Sequence, residues 1–174
     1  ALNLLVIANV KLERYSEAEK VITEFGKRFK KNKLYFSSIQ FLGDTYLKKS
    51  QALKEKKKFV EAEKFSKKGA QLLFESLEVN PDQPIEIYRW VGRTLKQGGL
   101  YDDAIKIYEK AIARFQNDPK YTNDVITIKL EIVECYEKSN QLQKAKPILA
   151  ELDKRYKTNI IFQKNYALLL ERSK

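Results

Sequence analysis

The sequence predicts an all-α protein built from antiparallel helical hairpins that stack as a repeat. Only six Gly and four Pro interrupt long stretches rich in Lys, Glu, Leu and Ile. Apolar residues return at helical spacing along these stretches. A third observation is a recurring pair, an aromatic residue or Leu followed three positions later by Ala. The pair stands at Tyr15 and Ala18, Phe59 and Ala62, Tyr101 and Ala104, and Leu142 and Ala145. A recurrence of this kind is typical of stacked supersecondary units.

The repeat divides the chain into four units and part of a fifth. We place the units at residues 1–33, 34–83, 84–120, 121–157 and 158–174, all within one domain over 1–174. The first unit is predicted to pair a helix over 1–12 with a helix from Ser16, its N-cap, to 28. The first of these helices should bury Leu4, Leu5, Ala8 and Leu12. The second should bury Ala18, Val21, Ile22 and Phe25.

The second unit is longer than the others. Gly43 precedes Phe59 by 16 residues, whereas Gly92 precedes Tyr101 by nine. The following helix is also long, from 59 to 79, and ends at the segment 80–84 with its two prolines. Both arms are therefore predicted to be longer by about seven residues, so the hairpin tip should project by roughly 10 Å at about 1.5 Å per residue.

The third and fourth units predict helices over 85–97, 102–116, 121–139 and 142–156. Gly98 and Gly99 make the turn of the third unit. Pro147 falls near the start of its helix, where the missing N–H costs little. A further helix over 160–173 has no partner after it. We interpret the chain as a fragment of a longer array.

The third unit resembles the tetratricopeptide repeat. The resemblance rests on Tyr88, Val91, Gly92, Leu95, Gly99, Tyr101, Ala104, Tyr108 and Ala111. The fourth unit matches at Ile132, Val133, Tyr136, Leu142, Ala145, Leu149 and Leu152. Units two and four exceed the usual repeat length of about 34 residues. The resemblance implies a right-handed superhelical α-solenoid whose first helices line a concave groove.

By that resemblance, the groove carries a set of polar side chains and one Trp. They are Gln40, Asp44, Glu86, Arg89, Trp90, Arg93, Glu131, Glu134, Lys164 and Asn165. Arg89 and Arg93 share a helix face, and a Trp between two Arg can anchor a peptide and hold a carboxylate. A second interpretation stays open. The two Arg pair with Glu86, Glu131 and Glu134, and Trp90 packs on an adjoining helix.

The charge is strongly positive and concentrated in one segment. The net charge is +11, and 27 of the 34 basic residues are Lys. Segment 48–68 alone holds nine Lys against three Glu: Lys48, Lys49, Lys54, Lys56, Lys57, Lys58, Lys64, Lys67 and Lys68. Three interpretations of this segment stay open. It is a solvated hairpin tip, an electrostatic projection that docks an acidic partner, or a surface that contacts a nucleic-acid backbone. Because Lys outnumbers Arg, specific nucleic-acid recognition is disfavoured.

The sequence offers no catalytic constellation. It has no His, so the lone Cys135 has no imidazole base, and a Cys/His metal site is excluded. No Gly-rich phosphate loop follows a strand. No apolar run reaches the roughly 20 residues of a membrane span. We therefore expect neither enzyme activity nor a cofactor, and the sequence leaves the localisation unknown.

The predicted function is a non-catalytic protein–protein interaction scaffold that assembles a multiprotein complex through its concave groove. The expected partners are proteins or peptides, with an acidic partner favoured by the Lys-rich segment. Apolar residues over 1–12 and 160–170 also predict self-association through the repeat edges. The alternative is a nucleic-acid-binding helical repeat that uses the Lys-rich surface. The groove residues alternate in sign, which disfavours that alternative.

Overall fold

The structure, a computed structural model, describes residues 2–160 and 163. Within those residues it contains eight α-helices, a short 3-10 turn over Pro119–Tyr121, and no strand. The helices are α1 (Leu2–Lys11), α2 (Tyr15–Phe29), α3 (Lys33–Glu55), α4 (Phe59–Val79), α5 (Ile85–Gln97), α6 (Tyr101–Phe115), α7 (Thr122–Lys138) and α8 (Leu142–Tyr156). The all-α class is confirmed. The predicted helix over 160–173 lies outside the described residues, except at positions 160 and 163.

The chain forms two compact units, Ala1–Gln83 and Pro84–Lys174. The first unit contains the hairpins α1–α2 and α3–α4, and the second contains α5–α6 and α7–α8. The division falls in the non-helical segment 80–84, between the second and third predicted repeats. No helix in the described part of the chain is both long enough and apolar enough to cross a membrane.

One turn geometry joins the two helices of every hairpin. A residue in the left-handed region ends the first helix, at Glu13 (φ 55°), Lys57 (φ 58°), Gly99 (φ 80°) and Asn140 (φ 58°). The next N–H donates to a carbonyl five residues back, from Arg14 to Asn9 at 2.8 Å, Lys58 to Leu53 at 2.9 Å, Leu100 to Leu95 at 3.0 Å and Gln141 to Tyr136 at 2.7 Å. This is the Schellman helix end. The recurring aromatic residue or Leu follows it directly in all four hairpins.

The core of the first unit lies where α1, α2 and α3 meet. Its buried side chains include Val6, Ala18, Ile22, Ile39, Leu42 and Tyr46. In the α3–α4 hairpin, a Cβ on Gly69 would lie 2.9 Å from the carbonyl oxygen of Gly43. The two helices therefore cross in backbone contact, which only glycine permits here.

Two expectations for the first hairpin are wrong. Leu4, Leu5, Ala8 and Leu12 were expected in the core, but all four are exposed. Helix α1 packs instead through Leu2 and Val6, which lie on a different face. Ser16 does not cap α2, because the helix begins one residue earlier and its N-cap is Arg14, without a side-chain hydrogen bond.

The second unit packs in the same manner. Its fully buried side chains include Ile85, Leu95, Ile107, Tyr108, Ile126, Ile128 and Leu152. A Cβ on Gly92 would collide with the ring of Tyr108, so this glycine allows α5 and α6 to approach closely. Leu142, one of the residues by which the fourth unit resembles the repeat, is 55% exposed.

Candidate functional site

The candidate site in the second unit is formed by side chains of α5 and α7. Arg89 on α5 bonds from Nη1 to Asp124 Oδ1 on α7 at 2.6 Å. Sequence reasoning offered Glu86, Glu131 and Glu134 as partners and did not name Asp124. The Arg89 side chain is largely buried, and its Nε has no hydrogen-bond partner among the described residues. This ion pair fixes the end of α5 against α7.

One turn further along α5, a four-residue ionic cluster joins the same two helices. Glu131 on α7 accepts from Arg93 Nε at 2.6 Å and from Lys96 Nζ at 2.8 Å. Lys96 also reaches Glu134 at 2.6 Å. The buried Tyr108 on α6 donates its hydroxyl to Glu131 Oε2 at 2.7 Å. Glu131 therefore ties three helices together.

The ionisation of this cluster follows from its contacts. Burial raises the pKa of Glu131, but hydrogen bonds from Lys96, Tyr108 and Arg93 outweigh burial and leave that pKa below its usual value. Burial likewise lowers the pKa of Lys96, and its bonds to Glu131 and Glu134 reverse the shift. The charged forms of both residues are thus stabilised at neutral pH.

Trp90 stands beside this cluster on α5. Trp90 is the chain's single Trp, and it is 38% exposed, which is high for a large aromatic residue. Arg93 is 47% exposed, and only its Nε is engaged by a described carboxylate. A partly exposed indole next to a preorganised guanidinium can hold an apolar side chain and a carboxylate at once. Arg93 and Trp90 are therefore the accessible pair, whereas Arg89 is positioned to hold the two helices.

The other predicted groove residues are placed as follows. Gln40 and Asp44 lie on α3 in the first unit and are partly buried. Asp44 pairs with Lys48 at 2.6 Å on the same helix, and Gln40 Nε2 is buried without a hydrogen-bond partner among the described residues. Lys164 and Asn165 lie outside the described residues.

Five lysines of the basic segment 48–68 are held in ion pairs. Lys48 pairs with Asp44, Lys49 with Glu13, Lys58 with Glu61, Lys67 with Glu63, and Lys68 with Glu19. Lys54 also has an interaction within the chain. Among the described residues, Lys56, Lys57 and Lys64 form no ion pair of 4 Å or less, although the charge of Lys56 helps to lower the pKa of Glu13. The exposed positive charge of the segment is therefore smaller than its sequence suggests and lies near the α3–α4 turn.

A cleft of about 510 Å³ between α2 and α4 in the first unit was not predicted from the sequence. Its floor includes Tyr35 of α3, whose hydroxyl donates to Glu75 at 2.7 Å. Lys27, Lys30 and Lys68 lie among its lining residues. Tyr35 and Glu75 are far apart along the chain, so no local sequence pattern could predict this cleft.

Cys135 is fully buried on α7. Burial raises the pKa of its thiol to about 12, so the thiol is protonated at neutral pH and is a poor nucleophile. Within the described range, no group of His, Cys, Asp and Glu side chains is arranged to hold a metal ion.

The four hairpins, with their common turn and their small residues at helix crossings, define a helical-repeat protein. Residues 85–118, which contain α5 and α6, match the family model described as tetratricopeptide repeat. The third hairpin is therefore similar to a tetratricopeptide repeat, and the all-α hairpin fold of the described residues is consistent with that likeness. Tetratricopeptide repeats generally mediate protein–protein interactions and are typically non-catalytic. No curated protein matches the chain.

Proposed function

We propose that this protein is a non-catalytic scaffold that assembles a multiprotein complex by binding peptide segments of its partners. The observation that carries the proposal is that Trp90 and Arg93, three residues apart on α5, are both exposed. Trp90 is 38% exposed, and Arg93 is oriented by its bond to Glu131. Since the Arg93 side chain is already oriented, little of its conformational entropy is lost when a peptide carboxylate binds it.

The chemistry of the pair defines the partner segment. An apolar side chain would pack on the Trp90 indole, and a carboxylate would bind the terminal nitrogens of Arg93. Glu131 and Glu134 flank the site and are held by Lys96, so their charges are already compensated. The expected ligand therefore has an acidic residue or a C-terminal carboxylate next to an apolar residue.

Selection from a random peptide library against the whole chain tests this proposal. Enriched peptides should share the apolar and carboxylate pair. Fluorescence anisotropy should then show that Trp90→Ala and Arg93→Glu each weaken peptide binding by at least roughly tenfold, as expected for central anchor residues.

Matched substitutions control for general effects. Phe41→Ala removes an aromatic side chain of equal exposure, 38%, from α3. Arg155→Glu reverses the charge of an exposed arginine on α8 that also pairs with a glutamate, Glu151. Both controls should leave peptide affinity unchanged. Peptides whose affinity is unaffected by Trp90→Ala and Arg93→Glu would overturn this assignment of the binding surface.

We extend the proposal to self-association through α1. Its exposed face carries Leu4 and Leu5, which are 72% and 51% exposed. An apolar face of this kind is a candidate for burial against another copy of the chain. Sedimentation of the wild type and of Leu4→Glu/Leu5→Glu over a range of concentrations tests it, since only the wild type should form dimers.

A further inference from the structure

The tip of the α3–α4 hairpin extends beyond its neighbour in the first unit. The α1–α2 turn is level with Lys49 of α3, because Glu13 in that turn pairs with Lys49 at 2.8 Å. The α3–α4 turn lies eight residues further along, centred on Lys57. Helix α3 continues for six residues past Lys49, to Glu55, so at about 1.5 Å per helical residue the tip projects roughly 9 Å beyond the α1–α2 turn.

The other three hairpins provide an internal comparison for this tip. Its turn reads Lys56-Lys57-Lys58, where the others read Leu-Glu-Arg, Gly-Gly-Leu and Ser-Asn-Gln. Val60, the second residue of α4, is 86% exposed. The equivalent residues Ser16, Asp102 and Gln143 are all polar. The repeat fold therefore requires neither three lysines in the turn nor an apolar residue at position 60.

Phe59 adds to the apolar surface of the tip. Its side chain is 65% exposed, whereas the equivalent Tyr15 and Tyr101 are partly buried. Two adjacent apolar side chains thus stand in solvent at the end of a projection. They are bordered by Lys56 and Lys57, which form no ion pair of 4 Å or less among the described residues, although Lys56 lies near enough to Glu13 to help lower the pKa of that carboxyl.

We propose that this tip docks on an anionic lipid surface, with Phe59 and Val60 entering the interface and the turn lysines contacting the headgroups. Anionic lipid attracts clustered lysines, and apolar side chains gain free energy by leaving water at the headgroup boundary. The proposal is independent of peptide binding at Trp90, which lies in the other unit.

The shape and size of the tip favour lipid over a folded protein partner. A stable protein interface uses roughly 20–30 residues on each side. The projecting tip, residues 51–61, offers 11 residues, well below even the lower end of that range. A narrow convex projection also needs a complementary cavity in a protein, whereas a bilayer surface deforms around it. Lysine contacts together with two inserted side chains are the kind of paired signals that peripheral anchoring requires.

Co-sedimentation with vesicles tests the proposal on the whole chain. The probes are vesicles of phosphatidylcholine alone and vesicles that also contain phosphatidylserine. We expect binding only to the phosphatidylserine vesicles, and weaker binding when salt is raised. Lys56→Gln/Lys57→Gln/Lys58→Gln should weaken it on the order of 100-fold. Phe59→Ser/Val60→Ser should weaken it on the order of tenfold or more.

The chain offers matched controls for both variants. Lys27→Gln/Lys30→Gln/Lys31→Gln removes the same charge from exposed lysines at the end of α2. Leu142→Ser removes the exposed apolar residue that stands at the Phe59 position in the fourth hairpin. The Leu142 control should bind like the wild type. The lysine control should lose clearly less binding than the turn variant.

Insertion has its own spectroscopic signature. In a Trp90→Phe background, Phe59→Trp should shift its emission to shorter wavelength on phosphatidylserine vesicles and be quenched by brominated lipid. Leu142→Trp in the same background should show neither effect. Absence of vesicle binding would overturn the proposal. So would binding that needs the turn lysines but not Phe59 and Val60, which would show attraction by charge alone without insertion of the tip.

Discussion

At the scale of single residues, the hairpin turns show where the chain accepts backbone strain. Glu13, Lys57 and Asn140 adopt positive φ, although each has a side chain. Gly99 occupies the same place in the third hairpin. A residue with a Cβ pays about 1–2 kcal/mol for this conformation, whereas Gly does not. Asn is, after Gly, the residue that best tolerates this conformation, so the strain falls mainly on the two turns at Glu13 and Lys57.

Lys57→Gly should raise the free energy of unfolding by about 0.5–1 kcal/mol, the strain relieved less the greater chain entropy of Gly in the unfolded state. Urea denaturation measures the change. Lys56→Gly is the matched control, since it makes the same substitution at a residue with φ −82°. That control should be destabilising by about 0.5–1 kcal/mol. Equal effects of the two variants would contradict the strain argument.

Glu131 predicts a pH dependence whose sign follows from its lowered pKa. A carboxylate whose pKa is lowered in the folded state stabilises that state at pH values above 4.5, the usual pKa of the carboxyl group. This contribution is lost as the pH falls through the lowered value. Glu131→Gln should therefore cost about 1–3 kcal/mol at pH 7, and the difference from the wild type should shrink below about pH 4.5.

Thermal unfolding of both proteins between about pH 3 and pH 7 checks this. Glu109→Gln, an exposed glutamate on α6, is the control and should run parallel to the wild type. A Glu131→Gln difference that stayed constant down to the lowest pH would show that the ionised carboxylate is not what stabilises the three helices.

At the scale of helices, the close crossing of α3 and α4 predicts a strong effect of one methyl group. Gly69→Ala would place a Cβ 2.9 Å from the Gly43 carbonyl oxygen and 2.9 Å from Leu47 Cγ. The higher helix propensity of Ala favours the variant by about 1 kcal/mol. Overpacking opposes it by about 1–3 kcal/mol, because backbone cannot move aside as a flexible side chain can.

We therefore expect Gly69→Ala to be destabilising by up to about 2 kcal/mol in urea denaturation. Gln71→Ala, at an exposed site on the same helix, should be neutral or slightly stabilising. A stabilising effect of Gly69→Ala would mean that α3 and α4 are further apart than the structure shows.

The helices were predictable because local signals mark both of their ends. Apolar spacing, the recurring aromatic and Ala pair and the prolines of 80–84 placed the helix boundaries to within one residue. The face of α1 was not predictable. Its sequence is apolar on nearly every side, so periodicity alone could not distinguish Leu2 and Val6 from Leu4 and Leu5.

The candidate site was predictable only in part. The spacing of Arg89 and Arg93 on one helix face follows from the sequence, and acidic partners on α7 were anticipated. That Arg89 meets Asp124 depends on the axial register of α5 against α7. The connection through residues 116–121, with its 3-10 turn, sets that register, and no local pattern encodes it. The cleft floored by Tyr35 was missed for the same reason.

At the scale of the whole molecule, a net charge of +11 suggests attraction to nucleic acid, the alternative function. The structure reduces that attraction. Arg89 and Arg93 are both engaged by carboxylates on α7, and five lysines of the basic segment are paired. Nucleic-acid affinity depends on how many cations replace counterions along the phosphates. A paired lysine must first leave its carboxylate, which lowers its contribution.

We expect only weak binding to a generic 25-nucleotide RNA, with a dissociation constant above about 10 μM at 0.15 M salt. The slope of log K against log salt should lie between about −1 and −3, because the three adjacent turn lysines, Lys56, Lys57 and Lys58, can make about three phosphate contacts at most. Fluorescence anisotropy over a salt series measures both quantities. A dissociation constant below about 1 μM, together with a slope steeper than about −5, would require about six or more phosphate contacts. Such a result would mean that the paired lysines rearrange on RNA, and it would favour the nucleic-acid function over the scaffold.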